Sequence, residues 1–306
     1  MSRITNLYQS LIQWPLETAP IRGQSLAPLT SLKAGGKAAL WVQVNNQKEL
    51  ELVVTQILDL GLDWFLIGKG SNLICSSETY DGVLLQLGGD FTQVTRDQNQ
   101  LTAGGAAQDA KVAKVARNQG LTGLEWLVTI PGTLGGAVYM NAGAHHVEIK
   151  DRLKSALVYQ PGVGARPLDL GDFDFGYRSS RLQKTNEILL QATFELSEAD
   201  PLVIKAQEQK LLEARRKTQP VGTKTFGSMF HNPPGHSAWG LIQQAGLQGK
   251  QVGNFRVSPK HANFMENMGS GDSKGLLELI KLVQTEVYQT TGVHLHLEGK
   301  LFPTKP

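Results

Sequence analysis

Residues 38–44 (AALWVQV) form an almost unbroken apolar run that predicts a buried strand. The segment behind it, NNQKELELVVTQILDLG, opens polar and then sets Leu50, Val53, Val54, Ile57 and Leu58 at helical spacing. Gly61 stands where that helix stops, residues 63–67 predict a second strand, and GKGSN follows at once, so a glycine turn lies at a strand tip. In the middle third VLLQLGG and LTAGGAA read as short strands, and AQDAKVAKVARNQG reads as an amphipathic helix stopped by Gly120. SALVYQ and EILLQATFEL predict further strands, and residues 204–219 predict a helix ended by Pro220, which marks a domain boundary. The last part holds a helix SAWGLIQQAG, a polar glycine-bearing segment NMGSGDSKG, a long helix ending near Gly292, and a terminal strand VHLHLEGKLF. No internal repeat and no low-complexity tract interrupts this order.

A chain of 306 residues is long enough for two or three domains, and 41% hydrophobic with 19% charged residues suits a globular protein with a sizeable core rather than a disordered one. The formal charge of +3 is too small to mark a nucleic-acid or membrane-surface binder, which leaves a small-molecule partner as the expectation. The one dense basic cluster, Arg215-Arg216-Lys217, reads by default as a solvated helix end. A single cysteine, Cys75, excludes an internal disulfide and any multi-cysteine metal site. Polar residues Asn6, Gln9, Ser10 and Gln13 break any apolar signal core, and no run of 18 apolar residues exists, so a cytoplasmic location is expected.

Glycine changes the picture. There are 33 glycines, and they cluster. In GKGSN, Gly68 and Gly70 flank one residue, a spacing that lets successive N–H groups crowd around a ligand oxygen, although a plain strand-ending turn explains it equally well. Leu73 occupies the position where a dinucleotide fingerprint would have its third glycine, and no GxxxxGK[ST] loop occurs. The run IPGTLGGAVYMNAG, residues 130–143, is more specific. Small residues at Gly132, Gly135, Gly136, Ala137, Ala142 and Gly143 leave room for a flat ligand and expose main-chain donors, as a cofactor with two phosphates requires.

IPGTLGGAVYMNAG, with LTSLKAGGKA and GKGSNL upstream and FGYRSS, FGSMFHNP and SPKHANF downstream, resembles the UDP-N-acetylenolpyruvoylglucosamine reductase (MurB) family over nearly the whole chain. The resemblance implies an α+β protein: a two-part FAD-binding region of the vanillyl-alcohol-oxidase-like type, residues 1–85 and 86–219, and a C-terminal α+β domain for the UDP-sugar, residues 220–306. The short stretch between Arg178 and Arg215 is similar to the subclass that lacks a substrate-covering insertion. It implies an NADPH-dependent reduction of the enolpyruvyl ether of UDP-N-acetylglucosamine to UDP-N-acetylmuramate, in peptidoglycan synthesis, by a monomer that binds FAD non-covalently. Gly68, Lys69, Gly70, Ser71, Asn72 and Leu73, with Ile130, Pro131, Gly132, Gly135, Gly136, Ala137, Asn141 and Gly143, would hold FAD. Tyr177, Arg216 and Asn232 would hold the sugar nucleotide.

Three side chains carry the implied chemistry. Arg178 follows apolar Phe175 and Tyr177, where a guanidinium needs an anionic or dipolar partner; the family motif makes that partner the substrate carboxylate. Ser228 lies between a glycine and two prolines, which predict a rigid turn presenting the hydroxyl, and by resemblance it is the proton donor. No GxSxG elbow supports a hydrolase. Glu298 would stabilise the enol-like state, and strand alternation puts it on one face with His294 and His296; without a third ligand at suitable spacing no metal is expected. Leu297 and Gly299 around Glu298, His231 before Asn232, and His145-His146 after the NAGA run depart from the family pattern. The rival readings are another FAD oxidoreductase of the same fold, with Cys75 or His145-His146 as covalent flavin anchors, and a non-catalytic nucleotide-sugar module.

Overall fold

The computed structural model describes residues 2–269 and 271–303, and in it the chain divides into two compact units. The first comprises residues 1–22, 39–69 and 81–213; the second comprises 23–38, 70–80 and 214–306. Within the polar segment 267–275, Ser270 lies outside the described residues.

In the first unit the apolar run becomes the strand Lys37–Val44, and the helix Gln47–Asp59 starts at Asn46, whose side chain accepts from the Glu49 N–H at 3.0 Å. Leu50, Val53, Val54 and Ile57 form its buried face, at the spacing that predicted it. The strand Trp64–Ile67 runs parallel to Thr79–Leu87, register Trp64 with Val83, as a strand followed by a return connection requires. A five-stranded antiparallel sheet follows, in the order 164–169, 153–160, 188–195, 100–104 and 94–97. It covers a core that includes Leu101, Val112, Leu134, Val158 and Phe194.

The second unit builds its core from Phe226, Phe230, Ile242, Phe255, Leu279 and Val283. The helices Ala238–Gln244 and Lys274–Thr291 pack there beside a three-stranded sheet, 251–252, 255–257 and 265–267. Gly292 ends the long helix in the left-handed conformation, φ 71°, with its N–H on the Tyr288 carbonyl at 2.8 Å.

Two elements differ from the sequence reading. The helix expected over 204–219 spans Pro201–Thr218, because Asp200 accepts from the Leu202 N–H at 2.8 Å and Pro201 occupies the first turn, where no N–H is needed. The terminal strand expected over 293–302 is a strand only at Lys300–Phe302, where it pairs in parallel with Leu73–Cys75. His294 instead stacks on Tyr288, ring centroids 4.1 Å apart, so the shared face with His296 and Glu298 is not formed as a regular strand face. Among the described residues no helix is long and apolar enough to cross a membrane.

One buried charge stands out. Asp109 begins the buried stripe of the helix Asp109–Asn118 with Val112, Ala113 and Ala116, and neither carboxyl oxygen has a hydrogen-bond partner. Burial pushes its pKa up to about 8, an effect partly offset by the Lys69 ammonium. The folded chain therefore holds a proton that the unfolded chain releases near pH ~4, so stability falls as pH rises from ~4 to ~8, by up to about 1.4 kcal/mol per pH unit. Asp109→Asn is expected to raise the denaturant midpoint, with a gain that widens from pH 5 to pH 8; an equal gain at both would contradict the buried-acid assignment.

Candidate active site

In the first unit the glycine turn and the 130–143 segment meet. A Cβ at Gly68 would lie 2.4 Å from the Thr133 hydroxyl, so only glycine allows that approach. A Cβ at Gly135 would meet the Gly105 carbonyl at 2.9 Å, and one at Gly143 would meet Glu148 Cγ at 2.7 Å. These glycines are used by the protein's own packing. Gly136 differs: it is exposed, and a Cβ there meets nothing nearer than 3.7 Å, which leaves bare backbone open to a ligand. Lys69, also exposed, donates to Gln108 Oε1 at 3.0 Å and supplies a cation beside this backbone segment. Bare backbone at Gly136 and an ammonium at Lys69 suit a cofactor carrying a flat ring and a diphosphate, so the residues present fit FAD.

Past this segment the chain turns through a two-residue hairpin in which Ala144 pairs with Val147. His145 and His146 are its central residues, with φ of 55° and 66°, the positive values of a type I′ turn that Asn-Gly fills at less strain. Asn141 is fully buried; its amide donates to Glu148 Oε2 at 3.0 Å and to the Gly176 carbonyl at 2.9 Å. Gly176 and Ser179 exchange backbone hydrogen bonds at 3.0 and 3.2 Å, closing a tight turn that holds Arg178 at φ 52°. The Arg178 guanidinium donates to the Gly143 carbonyl at 3.1 Å, lies 5.1 Å from the centroid of the half-exposed Tyr177 ring, and faces Glu148 Oε1 at 3.8 Å. Sequence reasoning singled out Arg178, Asn141, Gly143 and Gly68 but missed Glu148 beside the first three and Thr133 beside Gly68. A carboxylate five residues after Gly143 was the only sequence signal for Glu148.

In the second unit Gly70 sits at φ 59°, and a Cβ there would lie 2.2 Å from the Leu29 carbonyl. The Ser31 N–H donates to the Gly70 carbonyl at 3.1 Å. The Gly35-Gly36 pair is likewise demanded by packing: a Cβ at Gly36 would lie 2.1 Å from the Glu78 carbonyl. Thr30 is buried, its hydroxyl donating to the Ala34 carbonyl at 3.2 Å. Asn72 donates to the Glu298 carbonyl at 3.3 Å, and its own carbonyl accepts from the Lys300 N–H at 2.9 Å.

Ser228 does not sit on the expected turn. It lies in an extended segment, bridged antiparallel to Phe264, with Phe230 bridged in turn to Leu297. The prolines at 233 and 234 come too late to bend it; the turn there is closed by the His236 N–H on the Pro233 carbonyl. Buried Asn263 fixes one side, since its carbonyl accepts from the Met229 N–H at 2.7 Å and its side chain bonds both the N–H and the carbonyl of Phe230, at 3.0 and 2.9 Å. The other side is fixed by Glu298 N–H on the Met229 carbonyl and His231 N–H on the His296 carbonyl, both 2.9 Å. Ser228 and Glu298 therefore belong to adjacent segments of one ladder, and His231 Nδ1 lies 3.8 Å from the Glu298 carboxylate. Asn232 Oδ1 accepts from the Ala238 N–H at 3.0 Å. Arg216 is exposed, and its carbonyl accepts from Lys260 Nζ. Cys75 is buried, which pushes its thiol up to about 12 and leaves no thiolate at neutral pH.

A sequence profile described as "FAD binding domain" matches residues 38–162, and one described as "UDP-N-acetylenolpyruvoylglucosamine reductase, C-terminal domain" matches residues 219–302. The α+β fold with these glycine segments is that of an FAD-dependent oxidoreductase. The chain is 36% identical to UDP-N-acetylenolpyruvoylglucosamine reductase 2 of Symbiobacterium thermophilum across 100% of this chain and 99% of that protein. It is 37% identical to the Caulobacter vibrioides reductase across 94% of this chain and 97% of the relative. The crystal structure of the Thermus caldophilus enzyme superposes with a TM-score of 0.81 at 32% identity, covering 93% of this chain and 98% of that one. The chain belongs to the UDP-N-acetylenolpyruvoylglucosamine reductase family of peptidoglycan synthesis, and its cofactor is FAD.

Gly68→Ala forces Thr133 aside at a cost of about 1–3 kcal/mol. Its expected result is a roughly tenfold loss of FAD retention, measured by absorbance after gel filtration, with recovery in Gly68→Ala/Thr133→Ala. Full retention in the single variant would contradict the close contact.

Proposed function

We propose that the chain reduces the enolpyruvyl ether of UDP-N-acetylglucosamine to UDP-N-acetylmuramate, in the cytoplasm and as a monomer, with NADPH as the source of reducing equivalents. Residues 1–85 and 86–219 form the two parts that hold FAD, and residues 220–306 receive the sugar nucleotide. When bound, FAD would supply two-electron chemistry, by which hydride from NADPH would reach the terminal methylene carbon of the enol ether.

The chain's own residues do the rest. The Gly68–Leu73 turn and the Ile130–Gly143 segment orient the cofactor, and Lys69 offsets diphosphate charge. Arg178 receives the substrate carboxylate, on which charge accumulates once hydride has reached the terminal methylene carbon. Ser228 gives its hydroxyl proton to the carbon next to that carboxylate, so the double bond gains one hydride and one proton. A serine hydroxyl is a weak acid and protonates only a strongly basic centre, which this carbon becomes. Glu298 stabilises the enol-like state, and Tyr177, Arg216 and Asn232 hold the UDP-sugar, with Asn232 using its amide donors because its oxygen already accepts from Ala238.

The observation that carries this reading is the ladder in which the Ser228 segment is clamped between Asn263 and the Glu298 segment. Such a clamp removes the rotational freedom that a proton donor must not have.

The first test is spectroscopic. Anaerobic NADPH is expected to bleach the flavin bands, and the enolpyruvyl sugar to restore them. In Ser228→Ala the bands should still bleach, but their return should slow by about 10²-fold or more, the usual contribution of a positioned acid. Undiminished return would remove Ser228 from the reaction, and bleaching without return in the parent protein would keep the flavoenzyme and discard this substrate.

A further inference from the structure

We propose that Glu148 is the residue that positions Arg178. The inference rests on the reading of Arg178 as the receiver of the substrate carboxylate and adds to it the group that sets its direction.

Arg178 is an arginine in the left-handed region, at φ 52°, a conformation that a branched-off side chain adopts only where its surroundings over-determine it. The backbone is fixed by the Gly176–Ser179 turn and by Gln183, whose amide donates to the Arg178 carbonyl at 2.9 Å. The guanidinium itself is supported by the Gly143 carbonyl at 3.1 Å, the Tyr177 ring at 5.1 Å and Glu148 Oε1 at 3.8 Å. Of these three, Glu148 is the one that carries charge. At 3.8 Å it acts through Coulomb attraction rather than a hydrogen bond, so it aims the cation without consuming its donor geometry.

Glu148 is itself held firmly. Its second oxygen accepts from buried Asn141 at 3.0 Å and lies 2.9 Å from Lys150 Nζ, whose pKa this carboxylate raises. Its backbone N–H donates to Asp151 at 2.8 Å in a reciprocal cap that ends the hairpin. Gly143 completes the arrangement, since a Cβ there would strike Glu148 Cγ at 2.7 Å and crowd Arg178 Nη1 at 3.4 Å. Four residues thus serve one contact, in which a carboxylate and a guanidinium, about four-fifths buried, face each other beside a glycine.

A residue acting through Arg178 has a distinctive signature. Glu148→Gln keeps the acceptor for Asn141 and removes the charge. FAD retention, thermal midpoint and the rate of flavin bleaching by NADPH are expected to stay at parent values. Flavin return with the enolpyruvyl sugar is expected to slow at least tenfold, and calorimetric binding of UDP-N-acetylmuramate to the oxidised holoenzyme to weaken about tenfold. Arg178→Ala should lose more, and the double variant no more than Arg178→Ala alone. Parent-rate return in Glu148→Gln beside a defective Arg178→Ala overturns this inference, as do additive losses in the double variant. Parent-rate return in Arg178→Ala overturns instead the underlying reading of Arg178. Should Glu148→Gln fail to fold, the same cycle on Glu148→Ala, which also removes the charge, decides with the same criteria.

Discussion

Main chain packed against main chain, with no side chain between, is the constraint on which both units rest. Gly36 against the Glu78 carbonyl, Gly70 against Leu29, Gly104 against Phe91 and Gly105 against Leu189 each leave about 2.1–2.2 Å for an atom that is not there. A methyl at any of these points collides with backbone, which cannot rotate away as a side chain can. At these points glycine is demanded by close backbone approach, and among the described residues sixteen glycines sit at positive φ, a conformation that L side chains rarely adopt. Gly136, where the surface stays open, is the contrasting position.

Polar groups inside the fold follow the same economy of partners. Asn263 satisfies three main-chain groups of residues 229–230 and so organises the segment that carries Ser228. Asn141 does a comparable job around Gly176, Glu148 and the Lys150 N–H. Each is at most 3% exposed, and each meets the rule that buried polar atoms be paired. Asp109, with neither carboxyl oxygen hydrogen-bonded, departs from that rule and carries the cost of a buried acid.

Much of this was legible beforehand. Helices with a clean apolar stripe and a glycine stop, such as Gln47–Asp59 and Lys274–Thr291, lie where periodicity put them, because their burial is local and repeats every turn. The helix start at Pro201 was missed because its signal is a cap, Asp-Pro, rather than a period. The alternating tail VHLHLEGKLF looked like a continuous strand, but regular pairing is limited to its last three residues, and alternation says nothing about available neighbours. The segment around Ser228 was misread for the opposite reason: glycine and proline flank it, yet Phe264 and Leu297, distant in sequence, keep it extended. The signature motifs named the candidate site residues; the partners that fix them, Glu148, Thr133 and Asn263, came into view only with the fold.

The parallel pairing of Leu73–Cys75 with Lys300–Phe302 joins positions more than two hundred residues apart, and Asn267 reaches back to the Leu32 carbonyl across 235. During synthesis the ribosome therefore exposes residues 70–75 long before the strand that completes their pairing exists. The unit that contains them cannot close behind the growing chain as a helical hairpin does; it must wait for residues 300–302 to emerge. The second half of the glycine turn consequently matures late, although it lies in the first quarter of the sequence, because the pairing beside it waits for residues more than two hundred positions downstream.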